Sequence, residues 1–594
     1  MSQPQTTLEL PQGILTQHAM LVAWGLFAQA KGLIDRFEQI TIKQKTRVHS
    51  PQRKVIEFFV AILGGLPHLQ DISRSAHPLD QDLAVARAWQ QTGWADYSGV
   101  SRTLQKLSWE EVAAIESALD DWMNTVIREE VALAWQQQGY VVYDGDLTGR
   151  PVSNSSTTYP GAAYGYMGDG VQLGYQAAMV SFHSPTYGRL WLHSRQHPGD
   201  TVSVTQLQEM VRLAEQKTGI HPRRRMELVA KRLEELESAW QEAERRSGES
   251  EERLEAAKAA MAEVEQTLAH WQRLAYQLNA DYVQEGRKPT PHCQLSRAQR
   301  KVQTYEKRLP RRQKDVQVAE RRFQRHAHQA DALHEAYTHL QHHYQALLSD
   351  NAANPTPVRA IWRMDAGFAS LTNLLWLIEM GYEVYTKGVS AHLLSKLLDI
   401  LPEDATWERV GKNADMFSWT QVTLDGHFAY PLNIGLLRYH MGDSQRHAVL
   451  LHFGDEPVTL HQRQWFHTYN GRQTIEAGIK EGKNVFKMHH LKVRSAPALQ
   501  LQEYLACFAA NFVRLAAYWF TQQQHDFSEF PIPSVKQMVQ VVANTSAHVW
   551  LQGNVWLLKF TEQSLYAGRS LMIRLGQGAF QLPLPLFSFQ KSHF

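Results

Sequence analysis

Apolar residues in this chain change their spacing several times, and each change predicts a different kind of structure. The most regular stretch runs from Pro222 to Asp350. Met226, Val229, Leu233, Leu236, Trp240 and Ala243 step alternately by three and four; Ser247 and Ser250 hold the next two places, and Leu254 to Leu278 continue the frame through Met261, Leu268 and Trp271. A second series runs from Leu295 to Leu347 through Ala298, Val302, Tyr305, Leu309, Arg312 and Val316. A heptad seam sustained this long is that of a coiled coil. The arms are equal in length and separated by a Gly/Pro-containing segment, 279–294. They predict an antiparallel hairpin reaching ~78 Å at 1.5 Å per residue. Pairing outward from Met226 and Leu347 sets Trp240 against Leu333 and Leu268 against Tyr305. It leaves two weak layers, Ser247 against His326 and Met261 against Arg312. Pro310 predicts a kink in the second arm.

Around this insertion the pattern alternates between helical and extended. Residues 1–135 read as a helical region. Ser50-Pro51 suits an N-cap and first turn, and Ser108-Trp-Glu-Glu111 is a capping box that opens a long helix ending near Gln138. Between them 83–91 and 100–107 form either a helix–turn–helix or part of a helical bundle. Strand signals follow at 140–143, 171–182 and 188–193, then a helix at 205–217. Beyond the insertion, strands at 358–364 and 382–386 flank a helix at 371–380. A β-rich stretch occupies 405–460, helices lie near 473–481 and 498–520, and short strands lie near 548–552, 555–560 and 571–575. The expected organisation is 1–135 as a helical DNA-binding domain, 136–221 and 351–525 as two parts of one α/β core, 222–350 as the inserted hairpin, and 526–594 as a C-terminal region.

Composition narrows the class. With 594 residues the chain holds about four domains' worth of sequence, and 43% hydrophobic residues exclude a disordered protein. A net charge of +2 from 61 basic and 59 acidic residues excludes a uniformly basic coat, though not a local basic stripe. Cys293 and Cys507 provide neither a disulfide framework nor zinc-finger spacing, which fits a reducing compartment. The start, MSQPQTTLELPQG, lacks the pattern of a signal peptide, and no apolar run is long enough to span a bilayer. A soluble cytoplasmic protein without membrane partners is expected.

The candidate chemistry lies in acids placed at strand ends. Val141-Val-Tyr143 runs into Asp144-Gly-Asp146-Leu-Thr148, and Ala360-Ile-Trp-Arg363-Met runs into Asp365-Ala-Gly367-Phe368. Each acid alone reads first as a turn cap. A third element changes the balance: Tyr469, Arg472, Glu476 and Lys483 form the pattern Y-x2-R-x3-E-x6-K. On a helix Arg472 and Glu476 share a face, with Tyr469 one turn before them and Lys483 about two turns beyond Glu476. The plainer reading is an exposed i,i+4 salt bridge.

On these residues the chain resembles insertion-sequence transposases of the DDE superfamily, in the group whose hallmark is the Y-R-E-K signature (the insertion-sequence four type). The resemblance covers the Asp144/Asp146 strand, the R-x-D-x-G-F element Arg363–Phe368, and 466–490, and extends loosely to the helical N-terminal region. It implies an RNase H-like α/β core in which Asp146, Asp365 and Glu476 hold Mg²⁺, or Mn²⁺ in its place, for two-metal phosphoryl transfer at DNA. Tyr469, Arg472 and Lys483 would face phosphates. Asp144 remains an alternative to Asp146 as first ligand, since residues two apart on a strand share a face. The chain departs from the group in its long insertion: 219 residues separate Asp146 from Asp365. The 111 residues from Asp365 to Glu476 leave room for the group's usual β insertion as well.

The function implied is a cut-and-paste DNA transposase that cleaves and joins DNA at terminal inverted repeats. Its partners would be transposon-end and target duplexes, it would act as a homodimer in the synaptic complex, and it would be nucleoid-associated when bound to DNA. The rival reading is a catalytically silent, domesticated DNA-binding derivative. Basic residues near the hairpin tip, Arg300, Lys301, Arg308 and Arg311 among them, are either solvated surface or a DNA-backbone contact. His326-Ala-His328 lies on the seam and reads as a polar layer. The chain contains no G-x4-G-K-[ST] phosphate loop, which argues against an ATP-driven coiled-coil protein.

Overall fold

The computed structural model describes residues 13–46, 48–155, 157–388, 390–424, 428–442, 444–523, 534–552, 554–562, 564 and 569–575. The first twelve residues, read above for a signal peptide, lie outside these, as does the chain beyond 575. No helix of the described residues is long and apolar enough to cross a membrane.

The chain forms two compact units. One is Arg223–Thr356 with Glu379–Gly381; the other contains everything else, so the N-terminal helices, both parts of the predicted core and the C-terminal region share one unit. That larger unit opens with β1 (Ile14–Thr16) and helices α1 (Ala19–Ala30), α2 (Leu33–Gln39), α3 (Pro51–Leu63), α4 (Asp71–Arg74), α5 (Leu83–Ala88), α6 (Tyr97–Gln105) and α7 (Trp109–Gln138). The caps act as their residue types dictate. Ser50 Oγ accepts from the Arg53 N–H, and Ser108 and Glu111 close the capping box at the start of α7. Gly139, at φ 75°, ends α7 in a left-handed conformation that a glycine adopts without penalty.

The next elements are β2 (Val141–Pro151), β3 (Ala163–Tyr166), β4 (Val171–Phe182), β5 (Leu190–Pro198) and α8 (Leu207–Thr218). After the insertion, formed by α9 (Met226–Gln284) and α10 (Gln294–Ala353), the chain resumes with β6 (Ala360–Met364), α11 (Leu371–Glu379), β7 (Glu383–Lys387) and α12 (Ala391–Asp399). The β-rich stretch supplies β8 (Glu408–Gly411), β9 (Ala414–Val422), β10 (Leu432–Met441) and β11 (Ser444–Phe453); α13 (Gln462–Asn470), α14 (Gln473–Asn484) and α15 (Ala496–Gln523) follow. The C-terminal β12 (Ala547–Gln552), β13 (Val555–Phe560) and β14 (Ser570–Arg574) join β1 in a four-stranded sheet, so the two ends of the described chain are stitched together.

The large sheet has ten strands in the order β3-β4-β2-β6-β7-β11-β10-β9-β8, with β5 also on β4. Pairing of β2 with β6 and of β6 with β7 is parallel; the other pairings are antiparallel. The fold is therefore mixed α/β. Register decides which side chains share a face. Asp144 stands opposite Arg363, and Arg363 opposite Tyr385, so Val142, Asp144 and Asp146 lie on one face with Ile361, Arg363 and Tyr385. Trp465, Phe466 and Tyr469 of α13 cover that face, packed with Val142, Ile361, Tyr385 and Leu450. Each such buried side chain is worth roughly 1.5–3 kcal/mol. On the opposite face Gly145 admits α8, since a Cβ there would come within 3.0 Å of Met210. α15 runs against β5 and the N-terminal helices, where Phe512 lies 5.2 Å from Phe27 and 5.5 Å from Phe59 between ring centroids.

In the smaller unit α9 and α10 pair along their length, and their buried residues, Val229, Ala243, Ser250, Leu254, Leu268, Leu295, Ala298, Ala330, Leu340 and Leu347, all belong to the predicted seam. The register differs from the expectation. Ser250, not Ser247, meets His326 (2.6 Å), and Trp240 packs on His334 and Tyr337 in place of Leu333. The cause is the turn: α9 continues past Leu278 to Gln284, which moves the apex toward the second arm and slides the pairing by about one helical turn. α10 runs unbroken through Pro310.

The arm's two ends are tied together, because the side chain of Asn351 bonds both the N–H (2.8 Å) and the carbonyl (3.0 Å) of Arg224. Replacing 226–347 with a short Gly/Ser linker is expected to leave a soluble, cooperatively folding protein whose near-ultraviolet circular dichroism keeps the aromatic signature of the large unit. Aggregation of that variant would show the insertion to be part of the core.

Candidate active site

β2 delivers two acids to very different surroundings. Asp144 is fully buried and takes both arms of the Arg363 guanidinium, Nε at 2.6 Å and Nη2 at 2.8 Å. His183 Nε2 lies 3.3 Å from the same carboxylate, 2.9 Å from the Thr474 hydroxyl and 2.7 Å from Arg363 Nη2. Burial alone would raise the Asp144 carboxyl, but Arg363 and His183 outweigh it and hold the group below its ordinary range.

Asp146, two residues on, has lost that partner. One oxygen accepts from the N–H of Leu147 (2.9 Å), and the other faces Arg472 Nη1 at 3.2 Å. Arg472 Nη2 in turn binds Glu476 at 2.5 Å. Its guanidinium thus bridges the first and third predicted acids, and its side chain is only 11% exposed. The i,i+4 pair expected between Arg472 and Glu476 is present; its Glu476 end is open to solvent, while Arg472 is largely buried and also holds Asp146. Asp365 follows β6 and is partly exposed; Oδ1 caps the short turn behind it through the Gly367 N–H (3.0 Å). It is therefore a cap and, at the same time, a charge felt by Asp146. Burial and the neighbouring Asp365 and Glu476 push Asp146 up to about 6 despite the pull of Arg472.

The signature expected on one helix is split between two. Gly471 and Arg472 join α13 to α14 through tight turns, with the Arg472 N–H bonded to Tyr469 O (3.0 Å). The reason is Arg363. Its Nη1 takes the Thr468 carbonyl at 2.8 Å, the acceptor a continuous helix would give Arg472, and occupies space that any Cβ at residue 471 would enter (2.3 Å). Tyr469 is buried in the hydrophobic cluster with its ring 5.5 Å from Lys387 Nζ. Lys483 donates to the Gly149 carbonyl of β2 at 3.0 Å. Burial, then the nearby Arg472, lowers Lys387, while Glu476 and Asp365 pull it the other way.

Sequence reasoning missed His183, Thr474 and Lys387. Lys387 had a usable signal, since it ends an apolar strand just as Asp146 and Asp365 follow theirs. His183 and Thr474 had none, because their role is set only by proximity to Asp144. Arg300, Lys301, Arg308 and Arg311 are exposed on α10, in the other unit.

Asp146, Asp365 and Glu476 offer only carboxylate oxygens, a donor set suited to a hard ion such as Mg²⁺ or Mn²⁺. Among the described residues no three His, Cys, Asp or Glu are grouped closely enough to hold a metal ion as they stand. The cation between Asp146 and Glu476 is that of Arg472. In comparisons with known proteins, no family model and no curated sequence matches this chain.

Two outcomes follow from these environments. Arg363→Met should cost about 3–5 kcal/mol in urea unfolding at neutral pH, because it strands a buried carboxylate. The folded-state value of Asp146, about 6, lies above its ordinary value of 3.8. The folded protein then binds the proton more tightly, and stability falls as pH rises through that interval. Asp146→Asn should therefore stabilise the metal-free protein by about 1–3 kcal/mol above pH ~6, with the gain vanishing below pH ~4. A variant less stable than the parent at pH 7.5 would contradict the crowding of acids at this site.

Proposed function

We propose that this chain is a metal-dependent DNA transposase of the DDE type with an RNase H-like core, acting on the terminal inverted repeats of an insertion sequence. One observation carries the reading. Asp146 on a central strand, Asp365 after the parallel neighbouring strand and Glu476 on a covering helix come from distant parts of the sequence, yet Asp146 feels the charge of both other acids and shares Arg472 with Glu476. Asp146, Asp365 and Glu476 would hold Mg²⁺ or Mn²⁺. The ion would stabilise charge on a phosphodiester and activate the attacking hydroxyl.

The chain's own residues supply the rest. Arg363 locks Asp144 on β2, while Asp146 is left to Arg472. Arg472 is shared by Asp146 and Glu476 and offsets part of their charge. Its fork fits a phosphate as well as it fits carboxylates, so the same side chain would suit a DNA phosphate. Lys387 adds positive charge at the same end of the sheet, and Lys483 does so at Gly149. The partners proposed are duplex transposon ends and target DNA, bound by a homodimer in the synaptic complex, in the cytoplasm and on the nucleoid.

The catalytically silent derivative remains a second reading, favoured by the same Arg472 bridge, which leaves no assembled acid group. Incubation with DNA carrying the element's ends, with and without Mg²⁺, separates the two. The transposase reading expects metal-dependent cuts at the ends. It also expects Asp146→Ala, Asp365→Ala and Glu476→Ala each to abolish cleavage while retaining binding. Binding without cuts in either Mg²⁺ or Mn²⁺ would establish the silent derivative. Full cleavage by the Glu476 variant would remove the acid assignment. Substituting Arg472 or Lys483 by Ala should weaken end binding and lower its salt slope by ~1 each.

A further inference from the structure

The charges of the hairpin are sorted by distance from its base, and many of them form no ion pair within it. In the basal half, 226–261 with 316–353, 14 acids stand against nine basic residues; in the distal half, 262–315, 11 basic residues stand against six acids. The helical halves thus carry opposite charges, with Arg223, Arg224 and Arg225 adding positive charge at the very base. In an ordinary hairpin, flanking charges pair across the seam. Here Glu234, Glu235, Glu244, Glu251 and Glu252 are exposed on α9 and form no ion pair among the described residues, where the basal pairs join Glu242, Glu249 and Glu255 to their own helix. Distally, Arg297, Lys301, Lys307, Arg308 and Arg311 are equally exposed and form none.

The heptad frame places most of these cations on one side of α10. Taking Leu295 as position a, Arg297 and Arg311 are at c, Arg300 and Lys307 at f, and Lys301 and Arg308 at g, while the e and b flank is mainly Gln, Ser and Pro. Cations in the first turns of a helix also oppose its macrodipole, so the distal pattern works against the hairpin's own stability. The centres of the halves lie some 40 Å apart along helices of 59 and 60 residues, several Debye lengths, and cannot neutralise each other.

We propose that two copies of this chain associate through their hairpins laid side by side in opposite directions, the basic distal half of each against the acidic basal half of the other. A two-fold axis crossing the middle of the arms makes the contact self-complementary and closed. Exposed apolar side chains, Tyr276 (79%) and Val283 (74%) in the distal half of α9, add contact area. A DNA duplex along the arm would meet opposite charge distally and like charge basally; a reversed second arm meets opposite charge at both ends. The inference does not rest on the transposase reading.

The test uses the full chain in sedimentation at low ionic strength without DNA. The parent should be a dimer that dissociates as salt is raised. Arg300→Glu/Lys301→Glu/Arg308→Glu/Arg311→Glu makes both halves acidic, and Glu234→Lys/Glu235→Lys/Glu244→Lys/Glu251→Lys makes both basic. Each variant alone should be a monomer, weakened roughly tenfold or more in self-association. Their equimolar mixture should form a heterodimer, and the variant with all eight changes should dimerise again. Circular dichroism of each variant verifies that the hairpin is helical. A monomeric parent, variants that still dimerise alone, or a mixture that stays monomeric would overturn the proposal. If the mixture stays monomeric while the distal reversal alone abolishes binding to a random-sequence duplex, the basic half is a DNA contact.

Discussion

The buried pair of Asp144 and Arg363 is the interaction on which the candidate site depends. Neither charge could be left there alone, since an unpaired ion at zero exposure costs several kcal/mol. Satisfying Asp144 consumes two of the Arg363 nitrogens, and the third reaches the Thr468 carbonyl. One side chain therefore fixes the spacing of β2 and β6, ends α13, and requires glycine at 471. The reorientation at that glycine places Arg472 over Asp146.

This explains why two acids in one short stretch differ so much. Asp144 is held ionised by Arg363 and is closed off from solvent. Asp146 shares Arg472 with Glu476 and feels Asp365, so its charge is poorly compensated. A site with surplus negative charge and a displaceable guanidinium is suited to exchanging one cation for another.

The two compact units obey different rules. In the larger, buried polar pairs such as Arg150 with Glu503 and the Asn511 side chain with the backbone of Trp191 fasten α15 to β2 and β5, and aromatic packing fastens it to the N-terminal helices. In the smaller, a narrow apolar seam suffices, and polar chemistry is displaced to the surface, where the charges sort by position along the arm.

Much of this could be read from residue order alone. Period-3.5 spacing gave both arms, every deeply buried seam residue and the fact of a hairpin, because coiled-coil pairing is local and repetitive. Capping residues located the starts of α3 and α7, and alternating or continuous apolar runs located the strands that carry Asp144, Asp146 and Asp365. What residue order could not decide was set by contacts between distant segments. The hairpin register depended on where α9 stopped, a matter of a few residues at the apex. The break between Tyr469 and Glu476 depended on a guanidinium contributed by residue 363. The different surroundings of Asp144 and Asp146, equivalent by strand periodicity, were decided by which of them stood opposite Arg363 in the parallel register, because a buried charge is governed by its nearest counter-charge and not by its place in a motif.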